Sequence, residues 1–147
     1  MALDPSNVGK TFTSAEPYLV GREKVREFAT ATGESAAICH DVAAALAAGY
    51  SDLVAPTTFP IVVTLNAMGD AVTDPSVGVD WSRVVHGDQR FSYVRPVVAG
   101  DALTVRTVIE SIKTLAGNDM ITLRGDLFAA DGSEIGSTWT SLVQRGE

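Results

Sequence analysis

The stretch Phe59–Val72 constrains this chain more than any other. Phe59, Ile61, Val62, Val63, Leu65, Ala67 and Met68 occupy every side of a helical wheel. A helix that is apolar all round belongs inside a protein or inside a membrane. The membrane is excluded by length, because the apolar run Phe59–Met68 already contains Thr64 and Asn66 and falls far short of the roughly 20 residues a span needs. A buried central helix remains. The β-branched run also permits a strand, but Pro60 sits badly in a strand. In the first turn of a helix its missing N–H costs nothing.

What wraps such a helix follows from the second half of the chain. From Arg83 onward the pattern has period two. Phe91, Tyr93 and Arg95 alternate with Arg90, Ser92 and Val94; Pro96 and Gly100-Asp101 mark a turn. Leu103, Val105, Thr107, Ile109 and Ser111 form one face of a long strand, and Gly117-Asn118-Asp119 is a hairpin signal. Ile121, Leu123, Leu127 and Ala129 continue the apolar side to a turn at Asp131-Gly132. Ile135, Ser137, Trp139, Ser141 and Val143 then alternate with Thr138, Thr140 and Leu142. The spacing predicts three long antiparallel strands in a meander, with one strand before them. Strands this long must twist and curl. The first half is helical: Arg22–Thr32 stopped by Gly33, then Val42–Ala48, N-capped by Asp41 and stopped by Gly49, with a short apolar segment at Tyr18–Val20 before them. Helices segregated from strands predict an α+β fold with an antiparallel sheet.

Composition removes whole classes of function. The 147 residues, without linker or repeat, suit one domain spanning 1–147. One cysteine excludes an internal disulfide and, with two histidines, leaves little for a metal. A net charge of −7 disfavours nucleic acid. Met1–Phe12 carries Asp4, Pro5 and Lys10 where a secretory signal has an apolar core, so a cytoplasmic location is expected, with no membrane association.

A curled antiparallel sheet around one central helix is the hotdog fold, and the stretch from Phe28 to Pro56 makes the resemblance specific. MaoC-like hydratases and dehydratases carry Tyr/Phe-Ala, a spacer, Gly-Asp-x-Asn-Pro-x-His-x-Asp, then Ala, Gly-Phe/Tyr and Ala-Pro. This chain reads Phe28-Ala29, Gly33-Glu34-Ser35-Ala36-Ala37-Ile38-Cys39-His40-Asp41, Ala45, Gly49-Tyr50 and Ala55-Pro56, without a gap. His86-Gly87-Asp88-Gln89-Arg90-Phe91 and Arg95-Pro96-Val97-Val98-Ala99-Gly100-Asp101 also resemble the family. The pattern is most similar to the FAS1-type dehydratase branch, and there to the non-catalytic subunits of heterodimeric (3R)-hydroxyacyl-ACP dehydratases.

The resemblance implies a reaction and its departures imply who performs it. In catalytic members the motif's Asp and His divide the acid and base work around a water molecule. Here Glu34 stands at the Asp position, Cys39 at the His position, and Ala36-Ala37 replaces Asn-Pro. His40 comes one residue late, which swings a side chain by ~100° on a helix or ~180° on a strand. No intact catalytic set is therefore expected. Glu34 reads as a surviving acid–base group or as a polar residue at a helix end. Cys39 reads as a nucleophile or as a small apolar filler. His40 reads as a displaced dyad member or as a surface residue before an N-cap.

Substrate-binding candidates are Pro56, Thr57 and Thr58, whose turn leads into the central helix and offers backbone N–H groups to a thioester oxygen, together with Asn66 and His86. Asp80-Trp81-Ser82, in the connection after the helix, is a candidate lid. Lys24, Arg26, Arg90 and Arg95 are candidates for a local basic patch. The favoured expectation is a subunit of a (3R)-hydroxyacyl-thioester dehydratase of fatty acid biosynthesis, acting on acyl-ACP or acyl-CoA, without cofactor or metal. A hotdog partner subunit would bring the Asp–His dyad. Two alternatives stay open: a self-sufficient homodimeric hydratase or thioesterase using Glu34 with His40 or His86, and a non-enzymatic acyl-binding protein.

Overall fold

The central helix opens on Pro60, as its sequence predicts, and the rest of the chain is arranged by what that helix must bury. The computed structural model describes residues 3–146. The first two residues and the last, which the expectations for the N-terminus and the domain span included, lie outside the described residues. In chain order the elements are β1 (Thr11–Thr13), β2 (Tyr18–Leu19), α1 (Arg22–Thr32), α2 (Val42–Ala47), α3 (Pro60–Thr73), β3 (Val84–Tyr93), β4 (Ala102–Leu115), β5 (Asn118–Phe128) and β6 (Glu134–Gln144). The expected caps hold the short helices. Gly33 ends α1 at φ 74°, and the Asp41 carboxylate accepts the Ala43 N–H at the start of α2.

The sheet runs β1-β4-β5-β6-β3, antiparallel throughout, with β2 beside the far end of β4. It curls around α3 in the expected hotdog arrangement. Sequence alternation misplaces three details, each through a local irregularity. A bulge between Ile109 and Ser111 flips the alternation of β4, so Ile112 instead of Ser111 packs on the core. A second bulge, between Leu127 and Phe128, puts Ile135 in the core with Thr138, Thr140 and Leu142, away from the strand face of Trp139 on which the alternation had placed it. The hairpin turn lies earlier than its signal. Leu115 pairs with Asn118, and Ala116 (φ 50°) and Gly117 (φ 79°) form the two-residue loop whose positive φ values match the strand twist.

α3 is buried over one face only. Phe59, Val63, Met68, Ala71 and Val72 are in the core, and Phe59 meets Phe28 edge to face at 5.5 Å. Leu65, however, is 51% exposed, and Asn66 is exposed beside it. The expectation of a helix covered all round is thus corrected: one apolar stripe faces outward. Among the described residues no helix is long and apolar enough to cross a membrane.

Candidate functional site

Glu34, Cys39 and His40 sit together on the loop between α1 and α2, but their side chains do not face one another as an acid–base pair. The Glu34 carboxylate accepts the Ala36 N–H at 2.9 Å, a contact inside its own turn. The His40 ring bonds through Nε2 to the backbone carbonyl of Glu34 at 2.7 Å, away from its carboxylate. The Arg26 guanidinium donates to the His40 carbonyl at 2.9 Å, so backbone and ring are both held. Cys39 closes a single 3-10 turn, Ala37–Cys39, and points into the protein. Burial, and to a lesser degree the nearby Glu34 charge, pushes its thiol up, away from the reactive thiolate.

The Pro56-Thr57-Thr58 turn precedes α3. Backbone bonds within the turn already use several N–H groups: Phe59 donates to Pro56, Ile61 to Thr58 and Val62 to Phe59. Pro60 has none. The groups left for a ligand are the N–H groups of Thr57 and Thr58, which have no backbone acceptor among the described residues. Tyr93, at the end of β3, donates its hydroxyl to the Thr57 carbonyl. Burial lifts that phenol to about 12, so it stays a donor across the ordinary pH range. In a trans peptide C=O and N–H point oppositely, so this contact sets the direction of the Thr58 N–H. Sequence reading passed over Tyr93 because its alternation marked it only as a strand residue.

A groove of about 480 Å³ lies between α3 and the sheet. Its helix wall is the half-buried Ile61 and exposed Leu65, with the edges of the core residues Met68 and Val72; Trp81, Val84, His86, Leu123, Thr140 and Leu142 complete it. The two polar members belong to one network, since Gln89 Oε1 contacts His86 Nε2 at 3.1 Å and accepts the Thr140 hydroxyl at 2.8 Å. His86 therefore reaches the groove, whereas Glu34 and His40 do not line it. Asn66 faces elsewhere. It lines a separate cleft of about 260 Å³ with Ser14, Glu16, Tyr18 and Asp70. The four basic candidates are spent on other contacts: Lys24 on Glu27, Arg26 on Glu23, Arg95 on Asp101, and Arg90 stacked 4.1 Å over the Trp139 ring. Among the described residues no group of three or more His, Cys, Asp or Glu side chains could hold a metal ion.

The FAS1-like, dehydratase domain region family matches residues 6–133. The chain is 52% identical over 145 residues to a UPF0336 protein of Streptomyces avermitilis, covering 99% of this chain and 97% of that one. It is 46% identical over 147 residues to a UPF0336 protein of Thermobifida fusca, covering 100% and 97%. Among solved structures it is similar to a MaoC-like dehydratase, with a TM-score of 0.89 at 33% identity. The match covers 96% of this chain and 43% of that one, so this chain spans less than half of that protein. It is also similar to the C-terminally truncated HadBC (3R-hydroxyacyl-ACP dehydratase) complex from Mycobacterium tuberculosis, with a TM-score of 0.87 at 31% identity over 97% and 99% of the two chains.

Proposed function

This chain belongs to the FAS1-like dehydratase family, and we propose that within it the chain is the acyl-binding, non-catalytic subunit of a cytoplasmic (3R)-hydroxyacyl-thioester dehydratase. The observation that carries this reading is the loop between α1 and α2. Its carboxylate is turned into its own backbone, its imidazole is tied to a main-chain carbonyl, and a buried thiol stands where the family has histidine. Dehydration needs a base to take the α-proton and an acid to protonate the departing 3-hydroxyl, leaving a trans-2-enoyl thioester and water. Nothing on that loop is arranged for both steps. The remaining parts support a binding role: an open apolar groove, and the β3 edge, which among the described residues pairs with β6 alone and exposes Val85. The relatives of similar fold include proteins described as complexes, HadBC among them. In the proposed assembly a second hotdog chain pairs along β3, closes the groove and supplies the Asp–His dyad, and the acyl group is carried by ACP or CoA.

Crotonyl-CoA hydration, followed by loss of enoyl absorbance, tests the proposal. The chain alone is expected to turn over no substrate. Mixing it with a hotdog chain encoded beside it that carries an intact Asp–His motif is expected to raise the partner's rate. Robust activity of the chain alone, abolished by Glu34→Gln or His40→Ala, would overturn the reading in favour of a self-sufficient enzyme.

A further inference from the structure

We propose that Trp81 is the fixed end-wall of the acyl groove and sets the longest chain it accepts. The inference rests on the acyl-binding reading above and adds a specificity-determining residue to it. The direction of the groove comes first. β3 ends at Tyr93, whose hydroxyl touches Thr57 at the N-terminal end of α3, while Val84, at its beginning, lines the groove with Val72 near the helix C-terminus. Helix and strand therefore run antiparallel along the groove. A thioester held at the Thr57-Thr58 turn sends its alkyl chain past Ile61, Leu65 and Met68 toward Val72.

Trp81 stands at that far end. It and Val72 border both the apolar groove and a neighbouring cleft of about 570 Å³ lined by Thr73, Asp74, Gly78 and Asp80. Val72 and the indole thus stand together between the two spaces. A swinging lid, the role its sequence position suggested, conflicts with the way its turn is pinned. The Asp80 carboxylate accepts the Ser82 N–H and hydroxyl at 3.1 and 2.6 Å and holds Arg83 Nε at 2.9 Å. The Asp80 N–H donates to the buried Gln144 side chain at 2.6 Å, and the Arg145 N–H donates to the Arg83 carbonyl at 3.0 Å. All these contacts are made by the residues around Trp81, none by its ring. The turn is fixed whether or not the indole is present, and the side chain of Trp81, a residue 52% exposed, can be cut back without unpinning it.

The stripe gives the length. Residues 61 to 72 rise ~16 Å along the helix at ~1.5 Å per residue. An extended alkyl chain advances ~1.3 Å per carbon, from C–C bonds of ~1.5 Å at near-tetrahedral angles. The stripe therefore holds about a dozen carbons before the indole.

The test is calorimetric titration of the full chain with saturated acyl-pantetheine thioesters from C6 to C18. Each methylene that enters an apolar groove strengthens binding by up to about fourfold. Affinity of the wild-type protein is expected to climb to about C12 and then level off. Trp81→Ala and the milder Trp81→Leu are expected to carry the climb several carbons further, while Trp81→Phe keeps the original limit. An unmoved limit in folded Trp81→Ala and Trp81→Leu, with binding otherwise intact, overturns the end-wall and leaves the acyl groove standing. Absence of binding by the wild-type protein at every length overturns the acyl groove itself, and the end-wall with it.

Discussion

Replacing Gly136 by alanine strikes the attachment of β3, the strand on which the proposed subunit pairing depends. A Cβ built at Gly136 runs into the Ser92 carbonyl oxygen, well inside the 3.0 Å below which real Cβ contacts essentially never fall, and lies 3.2 Å from the Tyr93 Cα, both backbone atoms of β3. No side chain can rotate to relieve this clash. The two strands must part where Tyr93 pairs with Gly136 and where the Val94 and Arg95 N–H groups donate to the Ile135 carbonyl at 2.8 and 3.3 Å. Overpacking of this kind costs about 1–3 kcal/mol. For a chain of this size each kcal/mol moves the midpoint by ~2–4 °C, so a fall of roughly 2–12 °C is expected in scanning calorimetry. Gly69→Ala is the matched control. Gly69 lies inside α3, and its added Cβ meets nothing within 4 Å. There the same change raises helix propensity by about 1 kcal/mol and is expected to raise the midpoint. Equal shifts for the two variants, or a Gly136→Ala protein at least as stable as wild type, would refute the argument from backbone approach.

Two further outcomes follow from individual groups. The Asp74 carboxyl is drawn down to about 2, chiefly by the Lys10 ammonium at 2.6 Å and then by Ser76. A folded-state value below the unfolded 3.8 means that the contact stabilises fully above about pH 4 and is lost as pH falls toward 2; Lys10→Met is expected to flatten that part of the acid-unfolding profile measured by circular dichroism. Cys39 is buried with its thiol pushed up, so it is expected to resist DTNB at pH 8 in the native protein and to react at once in denaturant. Rapid labelling of the folded chain would contradict the inert filler role.

Much of the scaffold is legible in the sequence, and the exceptions have physical causes. Pro60, Gly33 and Asp41 act locally, through one lost N–H, one positive φ and one capping oxygen, so the helix limits they set are where the sequence places them. The bulges beside Ile109 and Leu127 each add one residue to a strand. That is enough to reverse an alternation and too little to leave a mark in composition. Leu65 is misread for another reason. Hydropathy reports that a side chain avoids water, but not whether its own chain covers it; half-exposed on α3, Leu65 lines the groove instead of the core. At Glu34, Cys39 and His40 the residue types alone show a departure from the pattern this chain resembles. Only the fold shows that the His40 ring turns back to the Glu34 carbonyl.

The charge of −7 bears on the division of labour. A carrier protein or a CoA brings negative charge, and docking it needs cations facing the groove mouth. This chain holds most of its basic side chains elsewhere. Arg22 grips Asp52, Arg106 and Arg124 share Asp126, and Arg95 holds Asp101 at 2.9 Å, a contact that raises the guanidinium's own affinity for its proton. Each such pair is modest at a surface, but drawing a guanidinium away to meet a phosphate forfeits its carboxylate partner as well. In the proposed assembly the partner that brings the dyad must therefore also bring the positive docking surface. This requirement comes from charge, and the missing dyad comes from the Glu34–His40 loop, so two separate features of the chain assign both tasks to one partner.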